Sequence, residues 1–152
     1  MKIDEFIESL RKLNINITSR QLEQLEEYYN LLVEWNEKIN LTRITLKDDV
    51  YLKHFYDSAT IVKVIDLNKI DNFCDFGTGA GFPGIVIKIL FPSLNVTLVD
   101  SLNKRINFLN IVIEKLRLEK IVAIHSRIED FARPHRENFD LGTARAVASL
   151  PV

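Results

Sequence analysis

Residues 74–84 read CDFGTGAGFPG. The 152-residue chain has five glycines, and four of them (Gly77, Gly79, Gly81 and Gly84) stand in this stretch. Glycine loses more backbone freedom on folding than any other residue. A glycine-poor chain therefore crowds four together only where the backbone turns sharply or approaches something closely. The flanking residues say where this happens. Ile70 to Phe76 reads as a short strand, and Phe82 to Phe91 is apolar almost all round and stops before Pro92, as a buried helix would. In an open α/β sheet the turn from strand to helix lies beyond the carboxyl ends of the strands, where ligands bind. The helix that follows offers free N–H groups there, and Pro83 suits its first turn.

Outward from the loop, strands and helices alternate. Leu94, Val96, Leu98 and Val99 mark a second strand. Ser101 is placed to cap a helix carrying Ile106, Leu109, Ile113 and Leu116. Ile121 to His125 reads as a third strand and Phe139 to Thr143 as a fourth, although Gly142 is awkward inside it. This alternation predicts a parallel, doubly wound α/β sheet. Residues 1–66 read differently, as a helical segment ahead of an α/β domain over residues 67–152. A short helix is expected at residues 3–13. Thr18 with Gln21 three residues later has the form of a capping box, which starts a second helix at about Ser19. Leu22, Leu25, Tyr29, Leu32, Trp35 and Ile39 give it one apolar stripe. Asp48 or Asp49 opens a further helix with Val50, Phe55, Ala59, Val62 and Ile65 on its buried side.

Composition narrows the function classes. Apolar residues make up 47% of the chain and charged residues 27%, which is ordinary for a globular protein able to bury a core. The single cysteine, Cys74, excludes an internal disulfide and fits a reducing cytoplasm. The N-terminus has no signal-peptide pattern, and no apolar run approaches the ~20 residues of a membrane span. Net charge is −1, but its distribution is uneven, negative over residues 1–66 and positive over residues 103–152. The basic C-terminal third is able to meet a polyanion, and ordinary solvated surface is the simpler account. His54, His125 and His135 lack metal-ligand spacing, so no metal is expected.

The loop does not continue as Lys-Ser/Thr after Gly84, which excludes a Walker A phosphate loop. Gly79-x-Gly81-x-x-Gly84 does match the dinucleotide fingerprint, a weak signal alone. Asp75 weighs against that reading. It stands at the end of the first strand, where a carboxylate would repel a pyrophosphate and suit an ammonium group. S-adenosylmethionine carries an ammonium and a sulfonium and no phosphate, so the D-x-G-x-G-x-G pattern from Asp75 to Gly81 favours it over NAD. The alternative for Asp75 is local pairing within a tight turn. Asp100 ends the second strand, where a carboxylate accepts hydrogen bonds from ribose hydroxyls. Both cofactors want that acid, and a helix-capping role with Ser101 is the alternative.

CDFGTGAGFPG, LVDSLNKRINFL, SRIEDFA and FDLGTARAVASL occur in this order, preceded by WNEKINLTRIT and HFYDSA. Together they resemble the GidB/RsmG family of bacterial 16S rRNA guanine-N7 methyltransferases. The similarity covers nearly the whole chain, and the GFPG continuation and LVDS-x-x-KR-x-x-FL are its most specific parts. The resemblance implies a Rossmann-like class I methyltransferase fold, S-adenosylmethionine as cofactor, and 16S rRNA or the small ribosomal subunit as partner, with a monomeric, cytoplasmic enzyme. It places Gly77 and Phe82 at the cofactor, Asp100 on the ribose, Ile128 and Glu129 beside the adenine, and Arg145 near the methionine end or the entering guanine. Apart from the family, Glu129 reads as half of a solvated acidic pair, and Arg145 is as readily a surface residue as a site residue. That family's fold has more strands than the four counted here, so the resemblance implies that C-terminal strands are missing beyond Val152.

No nucleophile–base pair is visible, which agrees with the implied reaction. Guanine N7 attacks with its own lone pair, so positioning and desolvation suffice and no catalytic side chain is expected. Two other classes stay open at this point. One is a nicotinamide-dependent oxidoreductase; the other is a non-catalytic cofactor- or RNA-binding module.

Overall fold

Thr18 and Gln21 form the expected capping box. The Thr18 hydroxyl accepts from the Gln21 N–H at 3.1 Å, and the Gln21 side chain accepts from the Thr18 N–H at 2.8 Å. In the computed structural model, which describes residues 1–135 and 138–144, this box opens helix α2 (Ser19–Asn36) after helix α1 (Ile3–Lys12). The buried face of α2 carries Leu25, Tyr28, Leu31 and Leu32, wider than the single stripe expected. The reason is that α2 packs against two later helices at once.

The third helical stretch is not one regular helix. A turn of α-helix, α3 (Lys47–Val50), passes into a π-helix over Tyr51–Tyr56, back to α-helix in α4 (Asp57–Ala59), and ends as a 3-10 turn over Thr60–Lys63. Val50, Phe55 and Ala59 are all fully buried. Their spacing of five and then four is what a helix must underwind to keep on one face.

The sheet follows. Strand β1 (Asn72–Phe76) leads through the glycine loop to helix α5 (Gly84–Leu90). Strand β2 (Asn95–Asp100), helix α6 (Asn103–Lys115), strand β3 (Ile121–His125), helix α7 (Ile128–His135) and strand β4 (Leu141–Ala144) complete the described order. Helix α5 begins two residues later than the apolar run suggested, because Pro83 sits at its N-cap rather than inside its first turn. Ser101 does not cap α6. The cap position is Leu102, whose N–H is taken at 3.0 Å by the carboxylate of Asp100.

All described strand pairs are parallel, in the order β3-β2-β1-β4. The chain steps outward from β1 to β2 to β3 and then returns to the other side of β1, so the order reverses beside β1. That reversal opens a crevice at the carboxyl ends of the strands. Gly142 lies within β4 opposite Cys74. Side chains alternate along β1 as the pleat requires. Phe73 belongs to a large apolar cluster with α5, α6 and the N-terminal helices, while Cys74 and Phe76 face a smaller one with Ile128, Phe131 and Phe139. Both faces of the sheet are thus covered, which makes the fold an α/β, Rossmann-like one.

The N-terminal helices form an outer layer on α5 and α6, and polar side chains of α2 finish those helices. The Gln21 amide donates to the Ile89 carbonyl at 2.9 Å, and the Gln24 amide donates to the Leu116 carbonyl at 2.9 Å. These are carbonyls that a helix C-terminus leaves without partners. Lys88 closes the far end of α5 from within. It is 1% exposed and donates to the carbonyls of Pro92 and Leu94, and burial pulls its pKa down to about 8.

Candidate functional site

The glycine loop begins as a continuation of the sheet. The N–H groups of Gly77 and Thr78 both donate to the Val99 carbonyl of β2, at 2.7 and 3.0 Å. The chain then turns three times through the left-handed region, with φ of +68° at Gly77, +60° at Gly79 and +103° at Gly81. Side chains disfavour that conformation, so these three positions call for glycine on backbone grounds. Gly84 is different. Its φ is ordinary, but a Cβ there would overlap Leu98 Cδ2 and stand 2.9 Å from Asp75 Oδ2.

Asp75 is fully buried in β1. Its Oδ2 accepts from the Gly84 N–H at 2.9 Å and from the Thr78 hydroxyl at 2.7 Å, and its Oδ1 accepts from the Thr143 hydroxyl at 3.4 Å. One carboxylate therefore gathers the start of the loop, its end and strand β4. This is the local pairing raised from sequence as the alternative to a ligand role. Cys74 beside it is a buried packing residue, and burial followed by the Asp75 charge pushes its thiol well above the usual range.

Asp100 ends β2 with 2% of its surface exposed. Its Oδ2 accepts from the Gly79 N–H at 2.8 Å, and its Oδ1 accepts from the Leu102 N–H at 3.0 Å with Arg105 at 3.5 Å. The loop after β3 is tied to the same place, since the Ser126 N–H donates to the Asp100 carbonyl at 3.0 Å. From that loop Ile128 leans back over the first glycine, and its Cδ1 would lie 3.2 Å from a Cβ on Gly77. Gly77, Gly79, Asp100 and Ile128 thus meet at one crevice. Glu129 is exposed and pairs with Arg127 at 3.4 Å.

Gly81 and Phe82 lie on the side of the loop that faces the N-terminal helices. A Cβ on Gly81 would stand 2.5 Å from the Tyr28 hydroxyl. Phe82 is 3% exposed; its ring stacks on His54, with centroids 4.3 Å apart and planes 5° from parallel, and leans on Tyr28. Arg145 lies outside the described residues. Among the described residues no group of His, Cys, Asp and Glu could hold a metal ion, and no helix is long and apolar enough to cross a membrane.

Residues 21–152 match the family described as GidB, rRNA small subunit methyltransferase G. The chain belongs to the GidB family. It is similar over its whole length to ribosomal RNA small subunit methyltransferase G of Bacillus velezensis, at 58% identity, and of Bacillus subtilis, at 55%, and it covers 64% of each. The relative of the same name from Lactococcus lactis subsp. cremoris is 52% identical, with 65% of its length covered.

Within this GidB member, sequence reasoning passed over four residues that build the loop. Thr78 and Thr143 both bind the Asp75 carboxylate. Thr143 reaches it because β4 pairs with β1 in a register that sets Thr143 opposite Asp75, and only the strand order reveals that. Tyr28 donates to the Ala80 carbonyl at 2.6 Å, and His54 lies against Phe82. Both come from the helical segment, 52 and 28 positions away from their loop partners in the sequence. Local periodicity carries no signal for such pairings.

Proposed function

We propose that this chain binds S-adenosylmethionine at the crevice beside β1 and belongs to an enzyme that methylates guanine N7 of 16S rRNA in the cytoplasm, acting as a monomer. The observation that carries the reading is the Asp100 carboxylate at the end of β2, held against the Gly79 N–H at the point where strand order reverses. Each carboxylate oxygen has lone pairs beyond those that Gly79, Leu102 and Arg105 use, so Asp100 is equipped to take the two ribose hydroxyls. The donor set also fits the cofactor's charge. Asp75, bonded to Thr78 inside the loop, is a poor neighbour for a pyrophosphate and a suitable one for a cationic, phosphate-free ligand. Relatives named rRNA methyltransferases, 50–58% identical, support the substrate class.

In this reading Gly77 and Gly79 give the ligand access to the backbone, Gly81 carries the turn, and Asp75 holds the loop in shape. Ile128 packs on the adenine face, Glu129 borders its edge, and Phe82 supports the loop from behind. Arg145, which directly follows the last residue of β4, serves the methionine carboxylate or the entering base through its planar fork of donors. The bound cofactor would supply an electrophilic methyl group. The chain's own work is to orient the guanine in line and to exclude water, since N7 needs no base to deprotonate it.

Calorimetry with S-adenosylhomocysteine and with NAD, on the parent and on Asp100→Ala, tests the site. The parent should bind S-adenosylhomocysteine and not NAD. Losing charge-assisted bonds of roughly 1.5–3 kcal/mol should weaken Asp100→Ala about tenfold or more. Tight NAD binding by the parent, or equal affinity of parent and mutant, would refute the assignment. Labelled methyl transfer to 16S rRNA by the chain extended past Val152 tests the substrate.

A further inference from the structure

In the WNEKINLTRIT and HFYDSA segments, Asn36, Thr42 and His54 form a chain of contacts that ends on the glycine loop. Asn36, the last residue of α2, accepts with Oδ1 from the N–H groups of Leu41 at 2.6 Å and Thr42 at 2.9 Å. This clamps the connecting loop so that the Thr42 hydroxyl, which accepts from the Ile44 N–H at 3.0 Å, lies 2.8 Å from Nε2 of His54. His54 sits in the π-helical turn, and its ring lies flat on Phe82 at 4.3 Å. Tyr28, whose ring also touches Phe82, donates to the Ala80 carbonyl at 2.6 Å. Single π turns recur where a helix must aim a side chain at a functional site.

We infer that His54, oriented by Thr42, is a positioning residue for the cofactor loop: the imidazole is a plate that fixes Phe82 and with it the turn from Gly79 to Gly84. Phe82 and Gly81 both donate their N–H groups to the Thr78 carbonyl, at 3.2 and 2.9 Å. That small ring of bonds is what the plate keeps closed. The Gly79 N–H that meets Asp100 lies just upstream within the same turn. A shift of Phe82 would therefore pass directly into the proposed ribose site. The link to cofactor affinity rests on the function proposed above; the link to loop geometry does not.

Native-state hydrogen exchange and calorimetry separate the two. His54→Ala should speed exchange at the Gly81 and Phe82 amides on the order of tenfold, as expected for loss of a stacked ring pair. Amides of the β1–β2 ladder should exchange at the parental rate, which a merely structural role would not leave untouched. Thr42→Val should show the same change to a smaller degree, and Thr42→Ser, which keeps the hydroxyl, should restore the parent. Because Thr42 acts through His54, the double variant Thr42→Val/His54→Ala should be no worse than His54→Ala alone. If His54→Ala fails to fold, Thr42→Val and Thr42→Ser decide the matter. Parental exchange at Gly81 and Phe82 in a folded His54→Ala or in Thr42→Val would overturn the inference, as would Thr42→Ser behaving like Thr42→Val. Affinity for S-adenosylhomocysteine should fall in the same order as loop protection. A parent that binds none of it counts against the proposed function, while the exchange data still decide the role of His54.

Discussion

Replacing Gly84 with alanine should unfold the protein more readily, and replacing Gly79 should instead disable ligand binding. A methyl group on Gly84 overlaps Leu98 Cδ2 and crowds Asp75 Oδ2 at 2.9 Å. Leu98 and Asp75 are both fully buried, so neither can swing into solvent. Overpacking of this kind costs roughly 1–3 kcal/mol. Displacing the Asp75 carboxylate also weakens its bond from the Gly84 N–H, and bonds to charged groups are worth about 1.5–3 kcal/mol. Alanine recovers about 1 kcal/mol of helix propensity. The net loss is roughly 2–5 kcal/mol, or about 4–20 °C in Tm for a chain of this size. At Gly79 a Cβ meets nothing within 4 Å. The cost there is only that of φ +60°, roughly 1–2 kcal/mol. The same methyl enters the open space beside the Asp100 contact, where the ribose would rest. Thermal denaturation and S-adenosylhomocysteine titration should therefore rank the two variants in opposite orders. A Gly84→Ala protein melting within about 2 °C of the parent, or a Gly79→Ala protein less stable than Gly84→Ala, would refute the reasoning.

Gln21→Ala removes both the capping box and the donor to α5, and should cost about 1–2 kcal/mol in urea unfolding. Gln21→Glu should recover little of that, because its carboxylate would face the carbonyl end of α5. Tyr28→Phe strands the Ala80 carbonyl and should lose roughly 1–3 kcal/mol without changing the far-ultraviolet spectrum. Asp140 accepts from the N–H groups of Asp71 and Asn72, which hold its pKa below the ordinary 3.8. A carboxylate depressed in the folded state contributes its stability above the unfolded pKa and loses it as pH falls through the folded value. Urea unfolding of Asp140→Asn between about pH 5 and pH 2 should accordingly show a shallower acid loss than the parent.

How far the sequence could be read depended on whether a residue's partner was near it in the chain. The capping box at Thr18, the strand Ile121–His125 and the glycine loop are local patterns, and each is found where the sequence puts it. Gly77, Gly79, Asp100 and Ile128 converge because parallel strands deliver every β–α loop to the same edge of the sheet. What escaped was long-range or local in an unusual way. The π turn at Tyr51–Tyr56 left only a five-residue apolar step as its trace. Helix α7 was not called for, since SRIEDFA is short and carries an acidic pair that reads as solvated. The resemblance puts Phe82 at the cofactor, and no pattern in the sequence shows that its ring lies among Tyr28, His54 and Phe55. Its partners lie in a segment that no local pattern connects to the loop.

The way α2 finishes α5 and α6 bears on the order in which the chain is made. Gln21 and Gln24 wait for carbonyls 68 and 92 positions downstream. At a synthesis rate of about 5–20 residues per second, that wait is roughly 3–20 seconds. During it the N-terminal helices can shelter only against one another, through Phe6 on Tyr51 and Tyr28 on Phe55. The N-terminal helices are thus held half-assembled, and the arrival of α5 and α6 completes them. Slowing translation between residues 40 and 116 should lengthen the life of that exposed helical intermediate, and limited proteolysis of nascent chains would register it as prolonged cleavage within α2.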